Sequence, residues 1–221
     1  MFNSKRLIIF CGHYGSGKTN IAVNAAIALK ESFPNVALAD LDIVNPYFRT
    51  KDSSEELEGK GIRLICSSYA NSNVDIPALP QDIYAITDDK TLRCVLDIGG
   101  DDRGALVLGR ISEKIVMEND YEMLMVINSF RPLTRDTAST MEVLAEIETA
   151  AKIKFTGLVN NSNLGEETTA QDIIDSKKYA EEVSKATGLP LVATTVKAQL
   201  YSELCGKIDN LFRIKLQDKI L

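Results

Sequence analysis

The chain has 221 residues, 45% hydrophobic and 25% charged, the balance of a globular protein long enough to bury a sizeable core. A formal net charge of −6 and a pI near 5.0 argue against sequence-independent nucleic-acid binding, which needs a Lys/Arg surface. The cysteines (Cys11, Cys66, Cys94, Cys205) stand far apart and, with a single histidine, offer no zinc spacing. The first apolar run is too short for a signal-peptide core or a membrane span, so a reducing cytoplasm is the expected compartment.

In chain order, RLIIFC (6–11) reads as a buried strand, followed by a helix over about 18–32. Ile21, Ala22, Val23, Ala25, Ala26, Ile27, Ala28 and Leu29 surround that helix almost completely, which marks it as buried. VALAD (36–40) is the next strand, and the polar stretch 51–60 reads as a surface loop or short helix. Strands follow at 62–66, 93–99, 122–128, 154–161 and 189–195, all continuous apolar runs of the kind covered on both faces. Met141, Leu144, Ile147 and Ala151 share a helix face after Asp136, and Thr168-x-x-Gln171 resembles a capping box that opens a helix carrying Ile173, Ile174, Ala180 and Val183. At the C-terminus, Leu204, Ile208, Leu211, Phe212 and Lys215 fall at helical spacing, and a final helix packing on the sheet is expected there rather than membrane contact. Strands alternating with helices imply one α/β domain over 1–221, a doubly wound, mainly parallel sheet flanked by helices, with ligands at the carboxyl ends of the strands.

The stretch GHYGSGKT (12–19) has the spacing of a phosphate-binding loop and lies where such a loop must lie, after a strand and before a helix. Gly12, Gly15 and Gly17 let the backbone turn its N–H groups toward phosphate oxygens. The loop from Gly12 through His13, Tyr14, Ser16 and on to Asn20 is the expected nucleotide cradle. Lys18 is placed to meet the β- and γ-phosphates, and the Thr19 hydroxyl to meet Mg²⁺. Asp40 and Asp42 follow the second strand, and paired carboxylates beside a phosphate site point to metal and water handling. Asp97 ends an apolar strand as a Walker B carboxylate does, and Gly100 completes an Asp-x-x-Gly spacing whose N–H is suited to sensing a γ-phosphate. Asp101, Asp102 and Arg103 come next as candidates for a moving segment. Asn160 and Asn161 end another strand, where an amide can read a base edge or simply shape a turn.

Taken together, GHYGSGKT, DLD, DIGGD and GLVNNSN resemble the ParA/MinD/nitrogenase-iron-protein superfamily of P-loop ATPases and span residues 12 to 163 in the right order. The resemblance implies a slow, Mg²⁺-dependent ATPase that dimerises across ATP and cycles a client protein, although no motif specifies that client. By the same resemblance Asp42 orients the attacking water, Asp40 sits near loop and metal, Asp97 is the Walker B residue, Asp101 is a switch II carboxylate and Asn161 contacts adenine. His13 stands where the family carries a lysine that crosses the dimer, and Arg49, Arg103 and Arg131 are candidates for supplying that charge. The loop after Asp97 has no cysteine, which argues against a shared iron–sulfur cluster. The alternative on the same scaffold is a small-molecule kinase or ATP-dependent ligase of the dethiobiotin synthetase or cobyrinate amide synthase type, with Tyr47, Arg49, Ser67, Ser68 and Asn71 as acceptor-pocket candidates.

Overall fold

In the computed structural model the described residues are 1–2, 4–42, 54–66, 82–99 and 102–216. Within them the apolar runs form β1 (Leu7–Cys11), β2 (Val36–Leu41), β3 (Arg63–Cys66), β4 (Arg93–Ile98), β5 (Tyr121–Ile127), β6 (Gly157–Asn160), β7 (Leu191–Lys197) and β8 (Leu211–Ile214). They pair in parallel throughout as an eight-stranded sheet in the order β3-β2-β4-β1-β5-β6-β7-β8. The helices are α1 (Lys18–Lys30), α2 (Ser54–Gly59), α3 (Asp82–Asp88), α4 (Asp102–Gly109), α5 (Ser112–Glu118), α6 (Thr137–Ala151), α7 (Ala170–Thr187) and α8 (Tyr201–Leu204).

Alternation along each strand divides the core in two. Ile8, Phe10, Leu38, Val95 and Val126 face α1 and α2, whereas Leu7, Ile9, Leu96 and Met125 face the side covered by α3, α4, α5, α6 and α7. Strand β1 lies in the interior of the sheet between β4 and β5, so the segment leaving its carboxyl end is flanked by the ends of both neighbours. Cys11 and Cys94 are buried free thiols, and burial pushes the Cys94 thiol up to about 12.

The structure corrects some of the expected elements. Residues 204–215 do not form one helix: α8 ends at Leu204, a turn with Gly206 and Asn210 at φ 84° and 55° follows, and then comes the edge strand β8. The capping box of α7 is Thr169 with Asp172, one residue later than expected, because the Thr168 hydroxyl is occupied by Gly165 O and Leu164 N–H. On α6 the buried face is Thr140, Val143, Ile147 and Ala151, which leaves Met141 exposed. Among the described residues no helix is long and apolar enough to cross a membrane.

Candidate functional site

The loop from Gly12 to Thr19 leaves β1 and enters α1. Gly12 adopts φ 149° and packs so closely on the Val126 carbonyl of β5 that a side chain there would clash. Gly17 caps α1 in the left-handed region at φ 90°, where a β-carbon would collide with the Asn161 amide. Both positions therefore require glycine. Lys18, 6% exposed, curls back so that Nζ donates to the His13 carbonyl at 3.2 Å, and the same carbonyl accepts Ser16 N–H at 3.1 Å. The Ser16 hydroxyl is fully buried, with no hydrogen-bond partner among the described residues. His13 Nδ1 lies 3.1 Å from the Tyr14 carbonyl, the geometry of an Nδ1–H donor, and Tyr14 is exposed. The Asn20 carbonyl accepts from Asn24 one turn along α1.

The acidic residues gather beside this loop. Thr19 Oγ1 donates to Asp97 Oδ2 at 2.6 Å, joining the start of α1 to the end of β4, and Asp97 is 2% exposed. Asp40 pairs with Asp97 in strand register, and its Oδ1 accepts Asp42 N–H at 3.1 Å. Asp42 packs against Gly99, so the residues after β2 and after β4 meet at the carboxyl edge of the sheet. Cys11 lies beneath; burial drives its thiol well above its ordinary value, Lys18 pulling it down and Asp97 adding to the rise. A hydroxyl and buried carboxylates are hard oxygen donors, the set that holds Mg²⁺ when phosphates complete its shell.

On the other flank, Asn161 braces the loop. Its Nδ2 donates to the Ser16 carbonyl at 2.5 Å and its Oδ1 accepts from Thr195 of β7, so both ends of the amide are engaged. Asn163 Nδ2 donates to the Asn161 carbonyl at 2.7 Å and its Oδ1 accepts Gly165 N–H at 3.0 Å. A small cavity here is lined by Asn161, Asn163, Thr168, Thr195, Lys197 and Leu216.

With this geometry in hand, the chain can be set beside known proteins. No family model matches it, and no curated protein does. It is similar in structure to the cell division protein FtsY of Thermotoga maritima, at 19% identity and a TM-score of 0.56 over 86% of this chain and 61% of that one. FtsY of Mycoplasma mycoides matches at 17% identity and a TM-score of 0.58, over 89% and 62%. The signal recognition particle receptor FtsY of Elizabethkingia anophelis, in complex with GDP, matches at 15% identity and a TM-score of 0.53, over 89% and 58%. The fold is FtsY-like. At these identities the likeness concerns the fold, and the chain spans about three fifths of the length of these structures. The resemblance to the ParA/MinD/nitrogenase-iron-protein group is thereby corrected: the structures set beside this chain are FtsY chains, and the description of His13 as a substitute for a crossing lysine falls with it.

Of the residues singled out from sequence, the structure brings together Gly12, His13, Tyr14, Gly15, Ser16, Gly17, Lys18, Thr19, Asn20, Asp40, Asp42, Asp97 and Asn161 at one edge of the sheet. Gly100 and Asp101, and Tyr47, Arg49, Ser67, Ser68 and Asn71, lie outside the described residues, as do the side chains of Asp102 and Arg103. Sequence reasoning missed Thr195, Asn163 and Asn128. Each is a polar residue near the carboxyl end of an apolar strand, Thr195 within β7 and Asn128 and Asn163 just after β5 and β6, and that position was the available signal.

Proposed function

We propose that the chain is a Mg²⁺-dependent nucleoside triphosphatase whose output is a change of shape read by a partner protein. The observation that carries this reading is the 2.6 Å bond from Thr19 to Asp97, which couples the start of the loop helix to the Walker B strand directly beside the phosphate cradle. ATP is the nucleotide expected from the motifs. GDP in one of the similar FtsY structures brings GTP in beside it.

In this reading the loop N–H groups and Lys18 would hold the phosphates, and Thr19, Asp97 and Asp40 would hold Mg²⁺, which when bound would supply charge compensation for the phosphate oxygens. Asp42 orients a water, whose oxygen attacks the γ-phosphorus. The bond to the β–γ bridging oxygen breaks, its electron pair leaves with the diphosphate, and the water's protons end on the released inorganic phosphate and in solvent. The adjacency of Asp42 and Gly99 supports the switch, because whatever orders one segment bears on the other.

The test is nucleotide titration with GTP and ATP, each with Mg²⁺ and with EDTA, followed by single-turnover hydrolysis. Lys18→Ala is expected to abolish turnover and weaken binding, and Asp42→Ala to spare binding while slowing hydrolysis about 100-fold or more. Wild-type hydrolysis rates in Asp42→Ala would remove that residue from its role, and nucleotide binding unaffected in Lys18→Ala would remove the whole reading.

A further inference from the structure

A nucleoside triphosphate brings about four negative charges, whereas Lys18 is the one permanent cation within residues 12–19. A second cation stands against the loop. Arg131 follows β5, the neighbour of β1, and its Nε donates to the Gly15 carbonyl at 2.9 Å. The guanidinium lies so close over Gly15 that a β-carbon there would touch it at 3.5 Å. Among the described residues neither terminal nitrogen of Arg131 has a hydrogen-bond partner, so the fork is left with donors to spare.

The turn that presents this arginine is built to hold still. Arg131 N–H donates to the Asn128 carbonyl at 3.1 Å, and the Arg131 carbonyl accepts Thr134 N–H at 3.0 Å. The Asn128 side chain, fully buried, accepts Phe130 N–H at 3.0 Å, and the Thr134 hydroxyl donates to the Asn128 carbonyl at 2.8 Å. Ser129 N–H donates to the Ser162 hydroxyl at 3.0 Å, tying the turn to the segment after β6. An arginine needed only to satisfy one carbonyl has no use for so fixed a base, whereas an anion ligand gains from a position set before binding. Its location ties it to the loop that Lys18 serves: the Lys18 ammonium, expected at the β- and γ-phosphates, reaches back to the His13 carbonyl, and Arg131 bonds the same turn at Gly15.

We propose that Arg131 is a phosphate ligand of this site: its Nε fastens the loop at Gly15, and its terminal nitrogens take the terminal phosphate of a nucleoside triphosphate. The proposal rests on the nucleotide reading above. A diphosphate lacks the group that the fork would meet, so the residue separates the triphosphate from the diphosphate state, and it meets the charge that builds on the transferring group during hydrolysis.

Calorimetry with Mg²⁺ tests this on the wild type, Arg131→Ala and Arg131→Lys, using GDP against the β,γ-imido analogue of GTP, with the adenosine pair in parallel, and with turnover measured on the same samples. Arg131→Ala is expected to weaken the triphosphate analogue at least about tenfold more than the diphosphate and to lower kcat about 10²–10³-fold. Arg131→Lys keeps the charge but loses the fork and is expected to fall between. If Arg131→Ala melts too early to assay, Arg131→Lys decides by the same differential. Equal weakening of both nucleotides with kcat unchanged would make Arg131 a tether for Gly15 and overturn the proposal. A wild type that binds none of the four nucleotides would overturn the nucleotide reading itself, a different result from a loss confined to the variants.

Discussion

The two ends of the strands each bury a cation, and they treat it in opposite ways. At the amino end, Arg6 is answered entirely by protein: its Nη2 donates to Glu118 at 2.6 Å, its Nε to the same carboxylate, and its Nη1 to the carbonyls of Ile86 and Leu92 at 2.9 Å and of Asp89 at 3.3 Å. At the carboxyl end, Lys18 folds onto a carbonyl of its own loop at 3.2 Å, a long bond that a phosphate oxygen can replace. Both are polar groups at a sheet edge of the same fold. The difference lies in these acceptors: for Arg6 a carboxylate that a neighbouring helix delivers, and for the Lys18 ammonium a loop carbonyl that can be exchanged. An ion pair in which every guanidinium nitrogen is answered closes a fold, whereas a buried cation on an exchangeable partner is suited to a ligand.

The sharpest way to break this contrast is to remove each cation in turn. Arg6→Ala leaves two buried carbonyls without their donor and the part-buried Glu118 carboxylate with Lys90 alone, and a loss of about 3 kcal/mol is expected in denaturant unfolding. Lys18→Ala is expected to change stability by less than about 1 kcal/mol while abolishing turnover and weakening nucleotide binding. If the two variants unfold alike, the division of the sheet into a closing edge and a binding edge is wrong.

That division also explains what was legible beforehand. Strand cores were readable because residues buried on both faces leave continuous apolar runs, as in LIIFC and RCVLDI. The loop was readable because Gly12 and Gly17 have no substitute at their backbone angles. Arg6 was not: in sequence it is one more charged residue before a strand, and its acceptors come from 80 to 112 residues away. The edge strand β8 was hidden for another reason. Leu204, Ile208, Leu211 and Phe212 repeat at helical spacing, but Gly206 and Asn210 take left-handed angles that end any helix between them, and those two residues were the overlooked signal. Asn161 was legible as a polar strand end, but the bonds that turn it toward Ser16 and Thr195 depend on β1 and β7 arriving beside it.

The second expected effect is on pH dependence and sharpens the description of the closing edge. Burial pushes the Glu118 carboxyl up, but hydrogen bonds from Arg6 and Lys90, together with their charges, outweigh it and hold the group below the ordinary 4.5. A carboxyl whose value is depressed in the fold contributes stability that is complete above its unfolded value and is lost as pH falls through the folded one. Wild-type stability is therefore expected to decline below pH 4.5 partly through this residue. In Glu118→Gln the protein is less stable at neutral pH and its acid limb is flatter. Denaturant midpoints between pH 7 and about pH 3 measure both changes. An unchanged acid limb in the variant would assign the decline to other carboxylates.

The smallest effect tests whether the binding edge is exchangeable throughout. Helix α7 starts on that edge, yet its first turn is closed on itself: Thr169 Oγ1 accepts Asp172 N–H at 3.2 Å, while the Asp172 carboxylate accepts Thr169 N–H at 2.8 Å. The Thr169 hydroxyl, which donates to the Asp172 carboxylate at 2.7 Å, and then the Thr169 N–H hold that carboxyl below its ordinary value, so the cap is charged at neutral pH. Thr169→Ala removes one half of this reciprocal cap and is expected to cost about 1 kcal/mol, with nucleotide affinity unchanged. A matching loss of affinity would mean that the first turn of α7 belongs to the ligand site, and that the loop's bracing extends from Asn161 through Thr168 into the helix. Unchanged affinity leaves the exchangeable groups confined to the loop itself and to the ends of β2 and β4.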